Sequence, residues 1–204
     1  MLTIIDYGAG NIKSIRNMLK KIGVPSIITS DVEEVSKAEK LIIPGVGHYS
    51  YGMQKLKASG LVEELSSKVL NDKVPILGIC LGAQLLGNRS EESDEKGLGW
   101  LDMDVVKFNA SQMDDSLRIP HMGWSEVKGK KESSLLKGYD EVPRFYFVHT
   151  YHMKTKEESD ILATTEYGYE FISAVEKDNI FGVQFHPEKS HKFGMQLLKN
   201  FSKL

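Results

Sequence analysis

Leu41-Ile-Ile43 and Pro75-Ile-Leu-Gly-Ile79 show no alternation of apolar and polar residues, and each runs straight into a turn rich in small residues. A strand with one wet face alternates, whereas a strand that is apolar throughout must be covered on both faces. These two runs therefore point to a parallel sheet with helices above and below it. Leu2 to Ile5 and Pro25 to Thr29 read as two more strands of that sheet. Between strands, Ile12, Ile15, Met18, Leu19 and Ile22 recur at helical spacing and stop at Gly23. Leu61, Val62, Leu65 and Val69 mark a second helix.

The second half changes character. Asp102 to Phe108, Ser125 to Lys128, Arg144 to Thr150, Ile161 to Thr165, Phe171 to Glu176 and Ile180 to Gln184 read as strands joined by short turns. Lys177-Asp-Asn179 is a good hairpin turn. The sheet is thus expected to be open and mixed, with an antiparallel extension. Phe193, Leu197, Leu198 and Phe201 give a closing amphipathic helix, and Glu91 to Lys96 reads as a charged surface loop. With 204 residues and no repeat, linker or low-complexity tract, residues 1–204 are expected to form one domain.

Composition closes several functional classes. Lysine plus arginine total 26 and aspartate plus glutamate 28, a net charge of −2, so no global positive field would draw nucleic acid or an anionic membrane. A single cysteine, Cys80, excludes an internal disulfide and a cysteine-built zinc site. No basic region precedes the apolar N-terminal run, and the longest apolar stretch, near Val74 to Ala83, is interrupted by Pro75, Gly78 and Gly82. A cytoplasmic protein is expected, without metal or cofactor. Asp6-Tyr-Gly-Ala-Gly-Asn11 opens like a dinucleotide loop, but Lys13 stands where G-x-G-x-x-G needs its last glycine. His149 and His152, three apart on an apparent strand, should face opposite sides, which argues against a two-histidine metal site. His48, His121 and His191 have no convergent partners visible in the sequence.

The strongest chemical signal is Gly78-Ile-Cys80-Leu-Gly82, directly after an apolar strand. Small residues on both sides let the chain turn sharply from strand to helix, with the nucleophile on the turn and a helix start beneath it. The positive end of a helix favours a thiolate, and the next N–H, that of Leu81, points toward an oxyanion formed by attack. Equally, Cys80 could be a small buried residue between packing glycines. Gln184-Phe-His186-Pro-Glu188 shifts the balance. On an extended segment His186 and Glu188 share a face, Pro187 stiffens it, and a histidine oriented by a carboxylate is what a cysteine nucleophile needs. Alone, such a triplet is more often a surface turn. Pro44-Gly45-Val46-Gly47 ends a strand where open parallel sheets bind ligands. Its glycines could aim a peptide N–H at a tetrahedral intermediate, or it is an ordinary loop.

Taken together, Leu77-Gly-Ile-Cys-Leu-Gly-Ala-Gln84, Gln184-Phe-His-Pro-Glu188 and Pro44-Gly-Val-Gly47 resemble the class I (triad) glutamine amidotransferases. Asp6-Tyr-Gly-Ala-Gly-Asn11, Pro120-His-Met-Gly-Trp124 and Tyr146-Phe-Val-His-Thr-Tyr151 are similar to the glutaminase subunits of imidazole glycerol phosphate synthases. The resemblance spans the whole chain and implies a flavodoxin-like α/β domain with helices on both faces of its sheet. It implies that Cys80 attacks the amide of L-glutamine, that His186 acts as base and then acid, and that Glu188 orients it. It implies an oxyanion hole from the N–H of Leu81 and a peptide in Gly45-Val46-Gly47. Gln84, His149, Thr150 and Tyr151 match glutamine-holding positions. Asn11, Trp124 and Lys189 match positions facing a (β/α)8-barrel synthase that receives the ammonia for histidine biosynthesis.

Ala83 departs from the methionine usual in that branch, and Ser125 from asparagine. Gly97-Leu-Gly-Trp100 and Arg144-Phe-Tyr-Phe147 are similar to a related branch that supplies ammonia to a synthase converting a sugar acetamido group to an acetamidino group for surface polysaccharide. Two other readings remain at this level. A stand-alone amidase or cysteine peptidase would be fully active without a partner. A catalytically silent binding subunit would lack one of the three residues, and Cys80, His186 and Glu188 are all present.

Overall fold

The computed structural model describes residues 1–204. Its first half is built from strands β1 (Leu2–Ile5), β2 (Ser26–Thr29), β3 (Lys40–Ile43) and β4 (Ile76–Ile79). Helices α1 (Ile12–Lys21), α2 (Val32–Ser36), α3 (Tyr49–Ala58) and α4 (Val62–Ser66) lie between them, and α4 runs on into a π turn at Ser67–Asn71. After β4 come a single helical turn, α5 (Leu81–Gln84), and strands β5 (Arg89–Ser90), β6 (Ser93–Lys96), β7 (Met103–Lys107), β8 (His121–Glu126), β9 (Lys128–Gly129), β10 (Arg144–His149) and β11 (Tyr151–Thr155). Strands β12 (Ile161–Tyr167), β13 (Tyr169–Lys177) and β14 (Ile180–Val183) and helix α6 (His191–Phe201) complete the chain.

The main sheet runs β2-β1-β3-β4-β14-β13-β11-β7-β5-β6, with β12 and then β9 branching from β13. The pairs from β2 to β14 are parallel. The chain turns antiparallel at β14–β13 and stays so through β11–β7, as a mixed sheet requires. Strand alternation explains why the first strands are apolar throughout. Ile5, Leu41, Ile43 and Ile76 pack on the face carrying Val35 of α2, Met53 and Leu56 of α3 and Leu65 of α4. Leu2, Ile4, Ile42, Leu77 and Ile79 pack on the opposite face, with Ile15 and Leu19 of α1 and Leu197, Leu198 and Phe201 of α6. Each strand thus feeds two cores, the two-sided burial expected of it.

Four sequence expectations need correction. Helices α2 and α3 fall between β2 and β4, where the sequence reading placed one strand, the glycine turn after it and only the single helix at Leu61 to Val69. Residues Ser93–Lys96 of the expected charged loop form β6, whose alternating half-buried and exposed residues suit a sheet edge. The strand expected at Ser125 to Lys128 is split: β8 begins at His121, ends at Glu126 and pairs with β10 in a two-stranded ribbon outside the main sheet, whereas Lys128 belongs to β9, which pairs with β12. The expected strand Arg144 to Thr150 ends at His149. The chain then leaves the ribbon at Thr150 and enters the main sheet as β11. That switch puts both His149 and His152 against the buried Phe108 ring, at centroid distances of 5.2 and 4.9 Å, and not on opposite sides.

Candidate active site

Cys80 follows β4 with φ 52° and ψ −113°, left-handed backbone that a side-chain-bearing residue adopts only under constraint. The constraints are visible. Its N–H donates to Val183 of β14 at 2.8 Å, and its carbonyl accepts from Ala83 and Gln84 at 3.0 and 3.1 Å, starting α5. The helix beneath the cysteine is thus one turn. Leu81, its first residue, has an N–H without an intrahelical acceptor.

Glycine is needed at position 82 because the turn is pressed onto the end of β3. A Cβ on Gly82 would collide with the carbonyl oxygen of Ile43, and a Cβ on Gly45 would collide with the N of Gly82. The same contact brings the Gly45-Val46-Gly47 loop against Leu81, so the two segments expected to form an oxyanion hole are neighbours. The Tyr7 hydroxyl donates to Pro44 O at 2.6 Å and pins this loop, while Gly47 takes φ +100°. Gly82→Ala improves helix propensity by about 1 kcal/mol but drives a methyl into fixed sheet backbone, which costs about 1–3 kcal/mol or more. We expect net destabilisation, seen as a lower urea midpoint at unchanged m-value; an unchanged midpoint would mean that the turn is not pressed against β3.

His186 follows β14. Its N–H donates to Tyr146 O at 2.9 Å, and its carbonyl accepts from Ser190 Oγ at 2.6 Å. Pro187–Lys189 is a tight 3-10 turn, not the extended segment expected, and it is this turn that swings Glu188 back to the ring. His186 Nδ1 and Glu188 Oε1 are 2.8 Å apart, and both side chains are 1 % exposed. His186 Nε2 is buried without a well-aligned hydrogen bond, and Cys80 is close enough to act on the ring's charge. Burial works against the imidazolium, but the neighbouring Cys80 and the bonded Glu188 outweigh it and push His186 up to about 10.

Cys80 and His186 open onto one cleft of about 580 Å³, which Leu81, Val46, Gly47, Gln84, His149, Thr150 and Tyr151 also line. Asn11 and Lys189 sit on the same cleft. Trp124 does not. It lies on the outer face of the ribbon, 45 % exposed, stacked on His191 at 5.6 Å and paired across the ribbon with Tyr146, whose carbonyl holds His186. Gly45 lies behind the cleft wall, against Leu81.

Three residues here escaped sequence reasoning. Glu92, from the segment read as a surface loop, is the only acidic residue lining the cleft; its Oε2 accepts the Tyr49 N–H at 2.7 Å at the start of α3. Gln184 is fully buried. Its Oε1 accepts from Gln84 Nε2 at 3.1 Å, and its Nε2 faces Cys80 Sγ at 3.8 Å. His121, without visible partners in the sequence, lies 3.0 Å from His149 and 2.9 Å from Ser125 Oγ. Gln184 opens the Gln-Phe-His-Pro-Glu motif, which is the signal that could have found it; only the register of β8 against β10 could have revealed His121.

The family model for glutamine amidotransferase class-I matches residues 3–204. Along its full length the chain is 52% identical to the protein named imidazole glycerol phosphate synthase subunit HisH 2 of Pseudomonas aeruginosa, covering 100% of both. Over 203 residues it is 55% identical to the subunit of the same name from Methanococcus maripaludis, covering 100% of this chain and 99% of that one. Among solved structures, a glutamine amidotransferase superposes with a TM-score of 0.76 at 17% identity, covering 98% and 97% of the two chains. PurLQS from Thermotoga maritima superposes with a TM-score of 0.72 at 18% identity, over 99% and 97%. These structures share the fold, and the sequence matches reach from the first strand to the last helix. The chain belongs to the class-I glutamine amidotransferases.

Proposed function

We propose that this chain is a glutaminase subunit that hydrolyses L-glutamine and delivers the ammonia to a partner synthase, the (β/α)8-barrel cyclase of imidazole glycerol phosphate synthase. The observation that carries the reading is the single cleft onto which the family's cysteine and its carboxylate-bound histidine open together. Two full-length relatives that carry the synthase-subunit name support the choice of partner.

The chemistry follows from the groups at the cleft. His186 takes the Cys80 proton, and Sγ attacks the side-chain amide carbon. The Leu81 N–H and a peptide of Gly45-Val46-Gly47 stabilise the oxygen that becomes negative. His186 returns the proton to nitrogen as the C–N bond breaks, ammonia leaves, and a glutamyl thioester remains. Water, deprotonated by His186, adds to the thioester; Cys80 leaves and regains its proton, and glutamate is released. Glu188 holds the ring through Nδ1 and stabilises its charge. Glu92, the one acidic residue on the cleft, would pair with the α-ammonium of the substrate.

Loop 44–47 links this cleft to a partner. Val46 is 41% exposed, and Gly47 gives the loop a peptide that can rotate with little strain. One absent oxyanion donor lowers turnover by about 10²–10³, so the isolated chain should be a poor glutaminase. Glutaminase kinetics of the chain alone, with the cyclase, and with cyclase plus its nucleotide acceptor should show turnover rising by about that factor. Equal turnover in all three mixtures would favour a stand-alone amidase. Stimulation by a sugar-amidinating synthase, and not by the cyclase, would reassign the acceptor while leaving the glutaminase chemistry in place.

A further inference from the structure

Behind the cleft wall, a row of side chains is joined by hydrogen bonds in only one consistent order. His149 Nδ1 lies 2.8 Å from the carbonyl oxygen of Tyr151, which can only accept, so Nδ1 carries the hydrogen. His149 Nε2 lies 3.0 Å from His121 Nδ1. Both rings are buried, at 6% and 1% exposure, and no carboxylate bonds either one. Burial pulls the basicity of each down, His121 to about 4, so both are neutral. In a neutral ring with hydrogen on Nδ1, Nε2 accepts, so His121 donates from its own Nδ1. His121 Nε2 must then accept, and Ser125 Oγ, 2.9 Å away, is the hydroxyl that donates to it.

The row ends on the segment that forms the cleft wall. His121 and His149 are direct cross-strand partners of the β8–β10 ribbon, and Thr150 is where the chain leaves the ribbon for the main sheet. The Tyr151 carbonyl, one residue on, also accepts from Gln84 Nε2 at 3.2 Å, and Gln84 in turn bonds Gln184 beside Cys80. Both ring nitrogens of His149 are therefore committed inside the protein, and its ring has no N–H left for a ligand. Its role differs from direct substrate binding: it fixes the 149–151 crossing against Gln84.

We propose that His121 is a positioning residue for glutamine: its Nδ1–H locks His149 in the single tautomer that holds the Tyr151 carbonyl, and with it the wall on which glutamine rests. This rests on the glutaminase reading only for its kinetic consequence. Ser125, the departure noted in the sequence, supplies the end donor that sets the direction of the row.

The test combines two substitutions with ¹⁵N NMR of the histidine rings in the full chain. In the unmodified protein, His121 and His149 should both be neutral with hydrogen on Nδ1, with a through-hydrogen-bond coupling between His121 Nδ1 and His149 Nε2. His121→Phe keeps a ring stacked between Phe147 and Tyr167, now at 4.7 and 3.9 Å, but removes the donor. It should give His149 a mixed tautomer and raise KM for L-glutamine in the synthase complex by about tenfold, with a smaller change in kcat. His121→Asn, whose amide N–H can stand in for Nδ1–H, should recover most of the lost KM. The proposal is overturned if either ring carries its hydrogen on Nε2 in the unmodified protein. It is also overturned if His121→Phe leaves KM unchanged or if His121→Asn is as damaging as His121→Phe. A chain that hydrolyses no glutamine would defeat the glutaminase reading, and the ring tautomers would still decide the positioning role.

Discussion

Cys80→Ala should abolish glutamine-dependent synthesis by the complex, a loss on the order of 10⁵–10⁶ in turnover, while synthesis from added ammonia continues. The expectation rests on place as much as on chemistry. Cys80 is the only cysteine, it sits 7% exposed on a turn in left-handed backbone, and the cleft gives no second thiol to replace it. Removing Sγ leaves the fold's contacts nearly intact, since Ala keeps Cβ and the backbone bonds to Val183, Ala83 and Gln84 do not involve the side chain. Assays of purified complex with each nitrogen source in turn separate the two half-reactions. Equal loss of both, with the complex still assembled, would place Cys80 in the structure of the interface and not in the chemistry.

His186→Ala should approach the same loss, because in the proposed mechanism the ring serves the nucleophile, the leaving ammonia and the attacking water in turn. Glu188→Gln should cost about 10²–10⁴. The amide can still meet His186 Nδ1 at the position of Oε1, but it cannot stabilise the imidazolium by charge, and its wrong end would present a donor to a donor. The ring depends on that charge: burial opposes its protonation, and Cys80 and Glu188 reverse the balance. A Glu188→Gln variant as inactive as His186→Ala, with native circular dichroism, would contradict this division of roles.

What could be read from the residues was what is local. The elbow at Gly78 to Gly82 and the pair His186/Glu188 are contiguous in sequence, and the apolar strands declare two-sided burial by themselves. The pair formed for a different local reason, a 3-10 turn in place of an extended segment, and spacing of two residues serves either geometry. Helix α3 carries Tyr49, Met53 and Leu56 on its buried face, a helical spacing masked by Gly52 and by the glycine turn just before it. Helix α2 has five residues, too few to display a period. The switch from ribbon to sheet at Thr150 has no turn residue to announce it. Glu92 and the His121–His149 row depend on contacts 43 and 28 residues apart, and no pattern in one segment encodes them.

The central claim is that Cys80 is the nucleophile that attacks glutamine. A glutamine analogue with a chloromethyl ketone in place of the amide places an electrophilic carbon beside that amide's position in the cleft, where Sγ displaces chloride and forms a thioether. Intact-protein mass spectrometry, followed by peptide mapping, should find one analogue group per chain, on Cys80, with L-glutamine protecting and Cys80→Ala unlabelled. The labelled complex should lose glutamine-dependent synthesis and keep ammonia-dependent synthesis. Inactivation with the label on any other residue, or equal inactivation of glutamine use with Cys80 unmodified, would contradict the account.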